Sequence, residues 1–346
     1  MCNVAGYVGT KQAAPILIDM LRRQEGFDSG FYTGIATIHE GKIHYAKVVG
    51  NLETLLKETN AAELPGTIGF IHGRTPGKAY QDVEWGHPFT TVRDGEVESA
   101  LVLNGCIRFF DPRVSQRIEV AQRVHAAGYT FKSAQYQPEE PFKLSDGMTI
   151  HTTDVLCQLI TMKVDQGMDT VDAMGEALCE FPGEFVTLYL SKTRPDGISF
   201  GRVNFPMHLN FVSHGAYLAT TPMAFPEDAG EPTLLPAMTS GFVSKDCLTV
   251  KPFRNPPATV APITSQLYHD VYDLVHKMIA EKGEITLQNL VPPTREMFGE
   301  GDILQDGALI YRVLYDIHQK TPFHIRKATK PGQKEGQTAP VFYLSL

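Results

Sequence analysis

The chain begins on a strand. Residues 4–9, VAGYVG, form an apolar run that reads as a buried strand starting almost at the first residue. Pro15 to Arg23 follows with helical spacing, with Ile16, Leu17, Met20 and Leu21 on one face. Strands then come in quick succession, TGIATIHEG, KIHYAKVVG, GTIGFIHGR and SALVLNGCI, several bounded by Gly or Asp-Gly. Ser115 to Ala127 reads as a helix, and Gln135 to Met148, polar and proline-containing, as a loop. Thr153 to Gln166 and Thr170 to Leu178 read as helices. EFVTLYLSK, DGISFGRV, MHLNFVSHG and AYLATT return to strand. Strands, grouped helices and strands again predict a layered α+β domain, not a regular βαβ alternation.

Residues 225–260 shift toward Pro, Gly and Thr and read as a boundary. Beyond it, Ser265 to Glu281 is an amphipathic helix with Leu267, Val271, Leu274 and Ile279 on one side. Leu287 to Phe298 and Leu304 to Lys320 predict two more helices, and the tail predicts two strands around a Gly- and Lys-rich tip. Helix, helix, helix, hairpin resembles a winged-helix module. The expected division is therefore 2–250 and 260–346.

Hydrophobic residues make up 42% of the 346, and charged residues 20%, which supports a sizeable core. A net charge of −8 with interspersed signs gives no reason to expect nucleic acid or an anionic membrane as partner. No run of about 18 apolar residues suggests a membrane span, and the N-terminus lacks a signal-peptide layout. Cysteines at 2, 106, 157, 179 and 247, with no Cys-x-x-Cys, predict neither a disulfide framework nor a zinc site, and a cytoplasmic location. Cys106, Cys157, Cys179 and Cys247 read as small buried hydrophobes.

Cys2 differs because of where it sits. With Met1 removed, which the small residue at position 2 permits, its thiol can attack a carbonyl carbon. Its α-amine, with an ordinary pKa near 8, can accept the thiol proton. Taken alone, a second-position cysteine is more often an inert thiol.

The surrounding motifs change that weighting. MCNVAGYVG resembles the opening of the class II glutamine amidotransferases, Met-Cys-Gly before a buried strand. LRRQEGFDSG with TGIAT is similar to the arginine-pair helix and Tyr-Asp-Ser-Ala-Gly turn in the glutaminase domain of glucosamine-6-phosphate synthase. IGFIHGRTPGKAYQDVEWGHPF resembles its His-Thr-Arg segment with a later His-Pro. LVLNGCI resembles its Asn-Gly strand end, HAAGYTFKSA its Gly-Tyr-Thr-Phe segment, and HTTDVLCQLI its Thr-Asp-Thr-Glu helix start. The likeness covers roughly residues 2–250.

The resemblance implies an N-terminal nucleophile hydrolase, a four-layer αββα sandwich, that releases ammonia from glutamine through a thioester on Cys2. It implies that Asn104 and Gly105 hold the oxyanion, that Arg74 holds the substrate carboxylate, and that Asp154 pairs with its ammonium. Thr75 lies in the loop that closes over glutamine. His87 is expected near the pocket, supporting the Arg74 loop. No metal or cofactor is implied. Without the resemblance, an Arg after a strand is commonly a solvated residue, Asn-Gly a turn pair, and Asp at a helix start a dipole-favoured residue.

Several residues depart from the pattern. Asn3 replaces Gly, the Arg expected before Gly26 is missing, and Thr75 stands where a tryptophan is expected, followed by Pro76, Gly77 and Lys78. Residues 250–346 are too few for a sugar-isomerase or other acceptor domain, so a separate acceptor protein is expected; a homo-oligomer is a further possibility. Two other readings remain: a stand-alone amidohydrolase for a different amide, and a disabled scaffold with a regulatory or binding role.

Overall fold

A computed structural model describes residues 2–77, 82–136 and 142–346. Lys78 and the middle of the expected Gln135–Met148 loop lie outside these residues.

The first strand, Asn3–Gly9, explains the architecture. Its apolar residues do not alternate with polar ones, as is usual for a strand buried on both faces. Val4 and Val8 face one way, into a core shared with Val102, Val186, Leu188, Ile198 and Phe200 of a second sheet. Ala5 and Tyr7 face the other way, against Leu17, Met20 and Leu21 of the helix Ala13–Arg22. Gly6 fits because a Cβ there would come within 3.1 Å of the Leu188 side chain. On the far side of the second sheet, Leu101, Leu103, Phe185 and Tyr189 pack under the helices Val114–Ala126, Thr152–Asp165 and Thr170–Glu180. The result is helix, sheet, sheet, helix: the expected four-layer αββα sandwich.

The first sheet has seven strands and the second has six, and the pairings given for both are antiparallel. Asn3–Gly9 lies inside the first sheet, between Gly215–Ala219 and Ile68–Arg74. The region read as a boundary is partly sheet. Thr239–Val243 and Leu248–Pro252 extend the second sheet beyond the strand Arg194–Arg202. The helix Leu52–Glu58, capped by the Asn51 side chain, had no counterpart in the sequence reading.

The helices Ser265–Lys282, Leu287–Glu296 and Asp306–Lys320 are followed by the hairpin His324–Pro331 and Thr338–Ser345. Ile285, between the first two helices, bridges to Leu344 as a short third strand. This is the order and pairing of a winged helix. Its core takes in Phe27 from the turn after the first helix. Phe27 and Phe342 meet edge-on at 5.4 Å, and a Cβ on Gly26 would fall 2.1 Å from the Phe342 ring. Phe342→Ala is expected to cost about 3–5 kcal/mol, as for other large-to-small aromatic changes in a core, measured as a drop in the urea midpoint.

Candidate active site

Sheet register places the nucleophile. Asn3 pairs with Gly73 and Val4 with His72 across the antiparallel ladder, so the next step brings Cys2 beside Arg74. Residues two apart share a face. Cys2 and Val4, with His72 and Arg74, therefore face the second sheet. The buried Cys2 Sγ lies 3.7 Å from the Thr75 hydroxyl. Asn3 takes the opposite face, so the side chain that replaces the expected glycine is directed away from the thiol. There it is wholly buried, near the Tyr311 hydroxyl of the helix Asp306–Lys320, which burial pushes up.

Arg74 is half-buried. One guanidinium nitrogen donates to the Trp85 carbonyl at 2.8 Å, and the group lies 4.9 Å from the centre of the Tyr32 ring. Trp85, the only tryptophan in the chain, was not singled out in the sequence. It packs with Phe31, Tyr32, Val49 and Ala339 beside Arg74.

Across the cleft, the strand Glu96–Cys106 carries Asn104 and Gly105 at its end. His72 Nε2 lies 3.0 Å from the Leu103 carbonyl and ties the two sheets together one residue before Asn104. Asn104 is fully buried, and neither its amide nitrogen nor its amide oxygen has a partner. A buried polar group left unmatched costs about 1–3 kcal/mol, and this amide is one of several such groups among the described residues. Gly105 sits opposite Phe185, where a side chain would strike the Glu184 carbonyl at 2.1 Å.

His87, expected to support the Arg74 loop, and Asp154, expected to pair with the substrate ammonium, both make contacts within the protein. His87 is buried, stacks on His72 with centroids 3.9 Å apart, and reaches the Thr153 hydroxyl at 3.1 Å. With His151 it forms a buried trio. Burial pushes His72 down to about 3 and the other two well below the ordinary range, with Arg74 and neighbouring histidines adding repulsion. All three are neutral at pH 7. They pack against one another, with Arg74 close enough to add to the repulsion.

Asp154 has the denser set of contacts. It is fully buried, and its carboxylate accepts from the Ser133 N–H at 2.9 Å, the Ser133 hydroxyl at 2.8 Å and Gln158 Nε2 at 3.2 Å. Burial raises its pKa, and these donors offset part of the rise. It anchors the Ser133 turn to the helix through Oδ2, while Oδ1 accepts one bond from Gln158. Among the described residues, no group of three or more His, Cys, Asp or Glu could hold a metal ion, and no helix is long and apolar enough to cross a membrane.

Two expectations follow. Asp154→Ala leaves buried donors unmatched and is expected to lower stability by about 2–4 kcal/mol; Asp154→Asn, which keeps an acceptor for Ser133, should leave KM within about twofold of wild type. The second concerns pH. His72, His87, His151 and His208 are all depressed in the fold by burial and protonate near 6.5 once unfolded. Unfolding therefore takes up protons as pH falls from about 6.5 toward 3, and stability declines across that window. Glu25, raised to about 7 by burial, and Asp154 oppose this, but they are fewer. The melting temperature is expected to fall between pH 7 and 5, and His87→Gln should make that slope shallower.

Comparisons with known proteins agree with this geometry. No family model matches the chain. Over 253 residues, 72% of this chain, it is 27% identical to glutamine–fructose-6-phosphate aminotransferase (isomerizing) of Pyrococcus horikoshii, of which the match covers 38%. It is 30% identical to the protein of that name from Methanothermobacter thermautotrophicus over 63% of this chain and 32% of that protein. The chain thus spans about a third of the length of these relatives. Among solved structures, glutamine phosphoribosylpyrophosphate amidotransferase from B. subtilis, complexed with ADP and GMP, superposes with a TM-score of 0.58 at 16% identity, over 81% of this chain and 58% of that one. An allosteric regulatory enzyme of purine biosynthesis gives 0.59 at 17% identity, with the same coverage. The chain is thus related in sequence to the glutamine–fructose-6-phosphate aminotransferases and has the fold of an N-terminal-nucleophile, class II glutamine amidotransferase.

Proposed function

We propose that residues 2–250 form a glutaminase unit in which Cys2, freed of Met1, attacks the side-chain amide of glutamine. The observation that carries this reading is the register that sets Cys2 beside Arg74, with its sulfur 3.7 Å from Thr75. The α-amine takes the thiol proton as sulfur bonds to the amide carbon. Asn104 and the Gly105 N–H hold the negative charge on oxygen. The amine then returns the proton to the departing nitrogen, ammonia leaves, and a thioester remains for water to hydrolyse. Arg74 holds the α-carboxylate. The ammonia acceptor is supplied by a separate protein.

A second reading, hydrolysis of an amide other than glutamine, is favoured by Asp154, whose carboxylate is engaged elsewhere. Its mark would be faster turnover on an amide lacking the α-ammonium than on glutamine.

Residues 260–346 form a winged-helix-like unit with a structural role. In DNA-binding winged helices and their helix-turn-helix kin, a recognition helix enters the major groove. Here Ala308, Leu309, Ile310, Tyr311, Val313, Leu314 and Ile317 of the third helix are buried. That burial, with the acidic net charge, supports the absence of a nucleic-acid partner.

The test is intact mass before and after treatment with 6-diazo-5-oxo-norleucine. Loss of Met1 and a single adduct, absent in Cys2→Ala, is expected. Retention of Met1 would sink the reading, because Cys2 would then have no free amine. Asn104→Ala should lower kcat by about 10²–10³-fold, the usual loss for one oxyanion donor.

A further inference from the structure

The hairpin that ends the chain reaches the Cys2 site. Its base is anchored at several points. Phe342 fills the space over Gly26, and Lys330 lies 3.5 Å from Asp28. The Asn51 side chain donates to the Thr338 carbonyl at 2.9 Å, and Gln337 donates to the Val49 carbonyl at 2.7 Å. Residues 25–31 and 49–51 thus hold the hairpin beside the start of Tyr32–His39, the strand that pairs Tyr32 with Arg74.

Beside these anchors the tip makes a two-point contact. The Gly77 N–H donates to Gln333 Oε1 at 3.0 Å, and Gln333 Nε2 donates back to the Gly77 carbonyl at 3.1 Å. A side-chain amide here does what a neighbouring strand would do, matching both backbone groups of one residue. Gly77 is two residues from Thr75, whose hydroxyl meets the Cys2 sulfur, and three from Arg74. Thr75, Pro76 and Gly77 are in no helix or strand of their own. They follow directly on the strand Ile68–Arg74, and Gln333 supplies a pairing that the sheet does not.

We propose that Gln333 is a positioning residue of the Cys2 site, holding Thr75–Gly77 in register against the nucleophile. The proposal deepens the amide-hydrolase reading and rests on it for the identity of the substrate. Two half-buried hydrogen bonds correspond to roughly a tenfold change in the population of the held segment, about 1.4 kcal/mol. No hydrogen bond joins Gln333 to Cys2, and the role proposed for it runs through Gly77.

The experiment uses the full-length, Met1-processed protein and compares wild type, Gln333→Ala and Gln333→Glu. Three quantities are read: hydrogen exchange in a peptide ending at Gly77, the rate of Cys2 modification by 6-diazo-5-oxo-norleucine, and its rate of alkylation by iodoacetamide. In Gln333→Ala, exchange at Gly77 should quicken. The glutamine-shaped reagent should react about tenfold more slowly because Arg74 and Thr75 are no longer held. Iodoacetamide, which needs no substrate pocket, should react as fast as with wild type or faster. Gln333→Glu keeps the acceptor and loses the donor, so it should fall between. A merely structural role would slow both reagents together and lower the melting temperature; that outcome, or unchanged exchange and rates, overturns the proposal. If wild type itself ignores the diazo reagent yet is alkylated by iodoacetamide, the glutamine reading fails, and exchange and alkylation alone decide the role of Gln333.

Discussion

The antiparallel pairing of Asn3–Gly9 with Ile68–Arg74 is the constraint on which the site depends. Both faces of the first strand are buried against different partners, so a slip of one residue would exchange Val4 and Val8 with Ala5 and Tyr7 and misfit both cores. The same slip would turn Cys2 away from the second sheet and move Arg74 out of line with it. The packing that stabilises the sandwich and the alignment that makes the thiol useful are thus one set of contacts, and selection on either preserves the other.

Much of this was legible in the sequence because it is local. Cys2 before a run of apolar residues, Arg74 ending a strand and Asn104–Gly105 ending another are placed by the ends of elements that periodicity reveals. The departure at Asn3 resolves for the same reason, since strand alternation sends its side chain away from the thiol. The contacts of Asp154 were not legible because a carboxylate in the first turn of a helix can face in or out. What decides it is Ser133, which meets it through a turn that no pattern near residue 154 announces. Trp85, Tyr311 and Gln333 were invisible for a related reason: each reaches the site from an element whose own pattern explains it fully. The Pro-rich stretch read as a boundary hides two strands, because Gly241 fits a close approach where a Cβ would fall 2.2 Å from the Thr249 carbonyl.

The C-terminal helices and hairpin follow the order of a winged helix. A winged helix exposes its third helix when that helix reads a groove. Here the same helix is apolar on the side that meets the sandwich, and the hairpin extends along the site's rim. The buried surface that joins the two units, with Phe27 in the core of the second, makes the tail part of the scaffold around Cys2 and not an appendage to it.

The surroundings of Cys2 therefore come from both ends of the chain. Asn3 lies near Tyr311, and Gly77 is hydrogen-bonded to Gln333, 256 residues further along. Non-local pairings of this kind must close a long loop before they stabilise anything. The segment after Arg74 therefore reaches its final form only once a hairpin 256 residues away has docked against it.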